Sequence, residues 1–214
     1  MSFLIMLSFV LAVTVLPVGL YVFLLVKRWH HRINTEWRAV AAEFGDDCFI
    51  EAEGFLHFGR IVVIKPDLTR IVVSMEQTIS RSENGKTGFS AWRTEVTVSS
   101  IHQKVPNHFL LTPRSLFDAK TDIFASKSLN ARYQLIVEAG TPVISPTVES
   151  ALKNLHRQSY VVVDRMDVTL GTEMVDGLPF LRLPASAAQL RELIATAIQL
   201  RDDNAVPSKV HLPG

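Results

Sequence analysis

A single cysteine, Cys48, stands in 214 residues, so no disulfide can close within the chain. That excludes a disulfide-stapled secreted module and fits a reducing compartment. An excess of one charge is also missing. The 22 Lys and Arg against 21 Asp and Glu leave a formal net charge of +1, so no global basic field argues for nucleic acid. Arg60, Lys65, Arg70, Arg81, Lys86 and Arg93 are scattered, with only Phe89 and Trp92 interleaved as aromatics. A sheet surface that binds nucleic acid needs more of both. There is no Asn-x-Ser/Thr sequon, no Gly-x-Ser-x-Gly, no P-loop, no Gly-x-Gly-x-x-Gly and no Cys-x-x-Cys. These absences indicate no catalytic, cofactor or metal site, and the expectation is a protein that is not an enzyme.

The most informative absence is of charge near the N-terminus. "FLIMLSFVLAVTVLPVGLYVFLLV", residues 3 to 26, contains no charged residue. At ~1.5 Å per residue this run reaches about 36 Å, enough for a bilayer core of roughly 30 Å with some tilt. A cleaved export signal would need a basic start, a shorter apolar core and a small-x-small cleavage site. Here Met-Ser precedes the run, and Lys27-Arg28-Trp29 follows it. The run therefore reads as a single-pass transmembrane helix.

Its direction follows from its flanks. Lys27, Arg28, Arg32 and Arg38 lie just after the run, with no Lys or Arg before it. The positive-inside rule then puts the N-terminus outside and the remaining domain in the cytoplasm, at the inner membrane of the cell. Trp29 and Tyr21 suit the membrane interface, each pairing an apolar ring with a polar edge. Pro17 removes one backbone donor and is expected to bend the helix. Ser8, Ala12 and Gly19 fall within about 40° of one another at ~100° per residue, a small-residue stripe suited to close helix contact.

Asn34 and Thr35 can cap a helix over "TEWRAVAAEF", with Gly45 ending it, and this helix either continues the anchor or joins it through a short break. Gly54 and Gly59 break the strand-rich "FIEAEGFLHFGRIVVIK"; "DLTRIVVSMEQT" and "WRTEVTVSSI" flank an Asn84-Gly85 hairpin signal. Residues 48 to 112 thus predict an antiparallel β-meander, half buried. "YQLIVEAG" and "YVVVDRMDVTL" add further strands. Ser145-Pro146 opens a helix whose face carries Val148, Ala151, Leu152 and Leu155. A closing helix places Leu190, Leu193, Ile194 and Ala197 on one side. The expected plan is an α+β protein. Residues 1–33 form an anchor with a basic juxtamembrane segment. Residues 34–203 form one domain with a meander and two or three packed helices, and 204–214 form a loose tail.

With "EWRAVAAEFG", "GFLHFGRIVVIK" and "LRELIATAIQL" in view, the chain resembles uncharacterised bacterial membrane-anchored proteins with a small cytoplasmic α+β domain. The resemblance rests on Trp37, Gly45, Gly54, Gly59, Arg60 and the closing helix. It implies a fold and a location, and brings no activity or site residues.

Three fragments echo the serine enzymes that react with penicillin: "SALK" at Ser150 to Lys153, "SLN" at Ser128 to Asn130 and "KTG" at Lys86 to Gly88. A lysine beside a serine would ease its deprotonation. Their order is reversed relative to that family, and Lys-Thr-Gly follows a hairpin turn, so the reading is coincidence. His30-His31 would point about 100° apart on a helix, which does not suit a metal. His102 and His108 lack nearby carboxylates in sequence, and Asp46-Asp47-Cys48 reads as a solvated turn rather than a thiolate site. The expected function is an interaction or assembly protein on the cytoplasmic face. It would contact the lipid bilayer and a protein partner or a second copy of itself, and would not bind nucleic acid. The alternative is a small-ligand or lipid-sensing domain linked to envelope maintenance.

Overall fold

The computed structural model describes residues 2–45, 47–51, 60–81, 87–100, 103–114, 122–155, 159–165, 167–174 and 185–207. The chain is α+β: an apolar N-terminal helix, an eight-stranded antiparallel sheet, and helices packed on one face of that sheet. Helix α1 spans Ser2–His31 with Pro17 inside it. A six-residue π-helical turn, Arg32–Trp37, follows directly, and α2 (Arg38–Ala42) continues from it. Asn34 and Thr35 therefore do not cap a new helix. They lie inside a continuous one, and no break falls at residue 33.

The reason lies in the buried side chains. Leu25, Trp29, Ile33, Trp37, Val40 and Ala41 are all buried. Positions four apart drift about 40° per step in a regular α-helix. Four steps, from Leu25 to Ala41, would carry the stripe about 160° round, wider than the ~100° a core-facing helix presents. The wider π turn absorbs one extra residue, and the two halves of the stripe meet the same core. Packing outweighs the local preference of Asn and Thr for a cap.

Strands β1 (Asp47–Glu51), β2 (Arg60–Ile64), β3 (Thr69–Arg81) and β4 (Thr87–Ser100) form the expected meander, each paired antiparallel to the next. The hairpin signal Asn84-Gly85 lies outside the described residues, as do Gly54 and Gly59; the pairing of Arg81 with Thr87 closes the strands around the first. The meander stops at β4. Strand β5 (Gln103–Lys104) leaves the main sheet, and β6 (His108–Pro113) joins its far side, between β7 (Tyr133–Ala139) and β8 (Ser159–Val163). Strand β9 (Asp167–Met174) bridges β8 to β4 and completes the order β1-β2-β3-β4-β9-β8-β6-β7.

Among the described residues, three helices follow α2. Short α3 (Lys127–Arg132) precedes β7. Helix α4 (Pro146–Asn154) starts as its sequence predicts, with the Ser145 hydroxyl accepting from the Val148 N–H and proline in its first turn. Val148, Leu152 and the following Leu155 are buried. Helix α5 (Ala187–Asn204) begins with a capping box between Ser186 and Gln189, and buries Leu190, Leu193, Ile194 and Ala197 completely. The expected loose tail begins too early at residue 204. Asn204 is buried: its side-chain N–H groups donate to the Val143 and Leu200 carbonyls, while its carbonyl accepts from Asn107. Val206–Pro207 then pairs as β10 with β5.

Pairing registers give the sheet two ends. One end is marked by Met75, Thr94, Thr172 and Ser159, which lie opposite one another across β3, β4, β9 and β8. Pro113 and Tyr133, a pair on β6 and β7, belong to that end, because Leu111 already sits opposite Val161. The other end holds Thr69, Ser100 and Asp167, with the C-terminal turn of α5 beside it through an Arg201 to Thr69 bond of 2.7 Å. The long helix leaves from the first end. Trp37 Nε1 donates to the Ala185 carbonyl at 2.7 Å, and the Ala185 N–H donates to Thr94. Eight residues later the chain has reached the second end, where Gly45 lies against Ile64. A Cβ there would meet Val63 Cγ1 at 2.5 Å and the Ile64 carbonyl oxygen at 3.0 Å, so this close approach needs glycine. Followed backwards from Trp37, α1 therefore runs away beyond the first end. Among the described residues, β3 and β4 extend past their neighbours in the same direction, since β2 pairs up to Val73 and β9 up to Trp92.

Candidate functional site

Two features at this first end combine chemistry with placement. The first is the junction of α1 with the sheet. From Val13 to Leu24 the apolar side chains stand outward, Leu16 at 69% exposure and Phe23 at 63%. At Leu25 this changes, and from there a buried stripe docks on the core. By length and composition the helix is able to cross a membrane, a measure that an export signal also satisfies. Of the basic flank, Lys27 and Arg28 are exposed, and Arg32 pairs with Glu36 at 3.2 Å, one turn on. Trp29 departs from expectation. It is 2% exposed and belongs to the core. Its ring faces Ile33's side of the helix rather than outward, because the domain already encloses the helix at that level. Tyr21 is exposed. In the small-residue stripe, a Cβ on Gly19 would meet nothing within 4 Å; the Ser8 and Ala12 side chains lie outside the described residues.

The second feature is a cleft of about 640 Å³ lined by Pro113, Arg114, Ser128, Leu129, Ala131, Arg132, Lys153 and Leu155. Three of its walls carry cations, and none of these lining residues is acidic. The local fold explains the placement. Pro113 ends β6, and the Arg114 N–H donates to the Arg132 carbonyl at 2.8 Å, holding the strand exit against the end of α3. The Arg132 guanidinium donates to the carbonyls of Leu152, Lys153 and Leu155, with the closest contact 2.6 Å. It lies 5.0 Å from the centroid of the Tyr133 ring. This arginine satisfies orphan carbonyls at the C-terminus of α4, where a cation also suits the helix dipole. It thereby fixes α3, α4 and β7 around the cleft. Lys153 is exposed in the last turn of α4, and the Ser128 hydroxyl shares a 2.8 Å hydrogen bond with Ser126.

The penicillin-like fragments come only partly together. Ser128 and Lys153 line one cleft, whereas Ser150 is exposed on α4 and does not line it. Asn130 is occupied structurally: its amide accepts from the Phe124 N–H and donates to the Phe124 carbonyl. Lys86 lies outside the described residues. Ser128 has neither a base nor an oxyanion donor placed beside it by these contacts, so no acyl-transfer arrangement results.

His108 gains the carboxylate neighbours that its sequence surroundings lacked, with Glu138 at 3.1 Å and Asp164 at 3.9 Å. These belong to the opposite end of the sheet. Asp46 and His102 lie outside the described residues. Burial pushes the Cys48 thiol up, with the Arg38 charge acting against it, so the thiolate that reactivity requires is disfavoured. On the open face of the sheet, Tyr160 lies over Gly171, donates to Glu95 and is stacked by Arg93 with the guanidinium carbon 5.0 Å from the ring centroid. Burial, then the Glu95 bond, holds this phenol well above its ordinary range. It acts as a brace between β8 and β4 across β9.

The cleft is the feature that sequence reading missed. Its cations are spread over residues 114 to 153 and share no motif. No family model, curated protein or solved structure matches the chain.

Proposed function

We propose that this protein is a single-pass membrane protein whose α+β domain is held against the cytoplasmic face and serves as an interaction or assembly element. The observation that carries this reading is the uninterrupted passage from exposed apolar residues, Val13 to Leu24, into the buried stripe Leu25, Trp29, Ile33 and Trp37. An apolar surface of that extent is unfavourable in water and natural in lipid. A linker would let the domain tumble; a continuous helix docked by two tryptophans fixes its orientation to the bilayer. Such a fixed orientation is useful to a protein that presents one surface to membrane-bound neighbours. The basic flank supports the cytoplasmic placement.

The second reading, a ligand- or lipid-sensing domain, is favoured by the cation-lined cleft at the same end of the sheet. The test of the leading reading is topological. A reporter active only in the cytoplasm, fused after Gly214, is expected to give signal, and the protein is expected to resist extraction by alkaline carbonate. Signal from an externally active reporter alone overturns the orientation, and release by carbonate overturns the anchor.

A further inference from the structure

We propose that the cleft between β6, α3 and α4 binds the phosphate of an anionic phospholipid headgroup supplied by the adjoining bilayer; this rests on the membrane-anchored reading above. Two independent observations converge on it. The first is chemical. Arg114, Arg132 and Lys153 put three cations around about 640 Å³, no aspartate or glutamate is among the described lining residues, and Ser128 contributes a hydroxyl. Guanidinium and ammonium groups donating to phosphate oxygens make strong, charge-assisted hydrogen bonds. The volume lies within the range of small-ligand sites. Leu129, Leu155 and Pro113 give the same cleft an apolar wall, which suits the glycerol and first methylenes of a lipid better than it suits a bare ion.

The second observation is topological. Pairing registers place Pro113 and Tyr133 at the end of the sheet marked by Thr94, and Trp37 meets that end through Ala185. The C-terminus of α4 lies at the same end, because the Arg132 guanidinium, from the residue before Tyr133, donates to the Leu152, Lys153 and Leu155 carbonyls. Helix α1 leaves the body there. Lys27, the first charge after the apolar run, is ten residues before Trp37, about 15 Å along the helix axis. The body reaches still closer, since Leu25 is already buried. The cleft thus occupies the end of the domain next to the headgroup layer, where anionic lipids also create a negative surface potential. The roles divide. Lys153 and Arg114 bring charge to the ligand and Ser128 adds a donor, while Arg132 holds the walls through its three carbonyl contacts.

The test uses the full-length protein purified in uncharged detergent and titrated with short-chain phosphatidylglycerol, short-chain phosphatidylcholine or inorganic phosphate, with thermal unfolding as the readout. Phosphatidylglycerol is expected to raise Tm in a saturable and salt-sensitive way, because binding to the folded state stabilises it. Lys153→Gln and Arg114→Gln are each expected to raise the half-saturating concentration about tenfold, as loss of one charge-assisted hydrogen bond implies. Lys153→Gln is expected to keep the lipid-free Tm, and Lys153→Glu provides a charge reversal at the same exposed site. Equal protection by inorganic phosphate overturns the lipid assignment. Equal protection by phosphatidylcholine overturns the selectivity for anionic headgroups. A shift retained in Lys153→Glu and Arg114→Gln places the binding elsewhere and overturns the site. Carbonate extraction of the same wild-type protein separates the two claims: resistance without a lipid shift sinks only the cleft, and release with a lipid shift sinks only the anchor.

Discussion

Deleting Thr35 and inserting an alanine after it should have very different consequences, although each changes one helix by one residue. The π turn Arg32–Trp37 holds one residue more than an α-helix needs to keep the buried stripe in phase. Thr35 is exposed within it, and its hydroxyl reaches only His31, at 3.5 Å. Removing Thr35 should convert the turn to regular α-helix while Trp29 and Ile33 stay in phase with Trp37 and Val40. The expected loss is within about 1 kcal/mol, typical of an exposed site. Inserting alanine adds a second surplus residue and rotates Leu25, Trp29 and Ile33 by about 100° relative to the sheet. Trp29 and Ile33 are 2% and 1% exposed, and burial of such side chains is worth roughly 1.5–3 kcal/mol each. The insertion should therefore lose about 3–6 kcal/mol from a total that is on the order of 5–15. For a chain of this size that lowers Tm by roughly 6–24 °C. The assay is thermal unfolding of full-length protein in detergent, followed by tryptophan fluorescence. A deletion as damaging as the insertion would refute the phase argument and make the π turn a requirement in its own right.

Three further outcomes can be stated briefly. Leu193→Asp puts a charge where a fully buried leucine packs against the sheet, and should unfold or aggregate the protein in a solubility and melting assay. Glu192→Lys, one residue earlier at the partly exposed edge, should leave it folded; equal behaviour would remove α5 from the core. Ser150→Ala, at an exposed position of α4, should change stability by less than about 0.5 kcal/mol, and covalent labelling of Ser150 by a fluorescent β-lactam would contradict that role. Burial, then the charge of Asp164, raises the Asp167 carboxyl above its ordinary 3.8, with Arg70 opposing. The folded state thus binds this proton more tightly than the unfolded chain. The associated stability is complete below pH 3.8 and is lost as pH rises through the raised value. Asp167→Asn should raise Tm at neutral pH, with the gain vanishing in acid; melts of both proteins across that range decide it.

Much of the fold was legible because its signals are local. The closing helix carries its core face in one amphipathic period, and Ser186 with Gln189 supplies the capping box that starts it. Ser145-Pro146 likewise states the beginning of α4. The meander β1 to β4 follows from alternation and turn residues. What the sequence left open or missed depends on distant partners. Asn34 and Thr35 have cap chemistry and leave open whether the helix stops there or continues the anchor; Trp29, Ile33 and Trp37, all docked on one core, decide that it continues. Trp29 suits a membrane interface and a protein interior equally well by composition, and only the enclosing domain decides between them. Strand β6 has the pattern of a fifth meander strand. Its actual neighbours, β7 and β8, begin some 20 to 50 residues later, and nothing in "HFLLTP" encodes that choice.

The cleft shows why a site can escape a reading by motif. A motif is legible when one turn or one helix positions all its groups, as a nucleophile elbow does. Here Arg114 comes from a strand exit, Ser128 and Arg132 from a six-residue helix, and Lys153 from the last turn of another helix. Two antiparallel registers bring these elements together: Pro113 against Tyr133, and Leu111 against Val161. Neither register is written near the residues it unites. "SLN" and "SALK" do contribute Ser128 and Lys153 to a common space, yet through positions irrelevant to the chemistry those fragments suggest elsewhere. The informative quantity is instead the sign of charge gathered at one end of the sheet. The basic flank of α1 and the cations of the cleft lie more than 75 residues apart in sequence, and the topology brings both to the same end of the sheet. A tether alone does not require that second set of cations, whereas the proposed headgroup contact does.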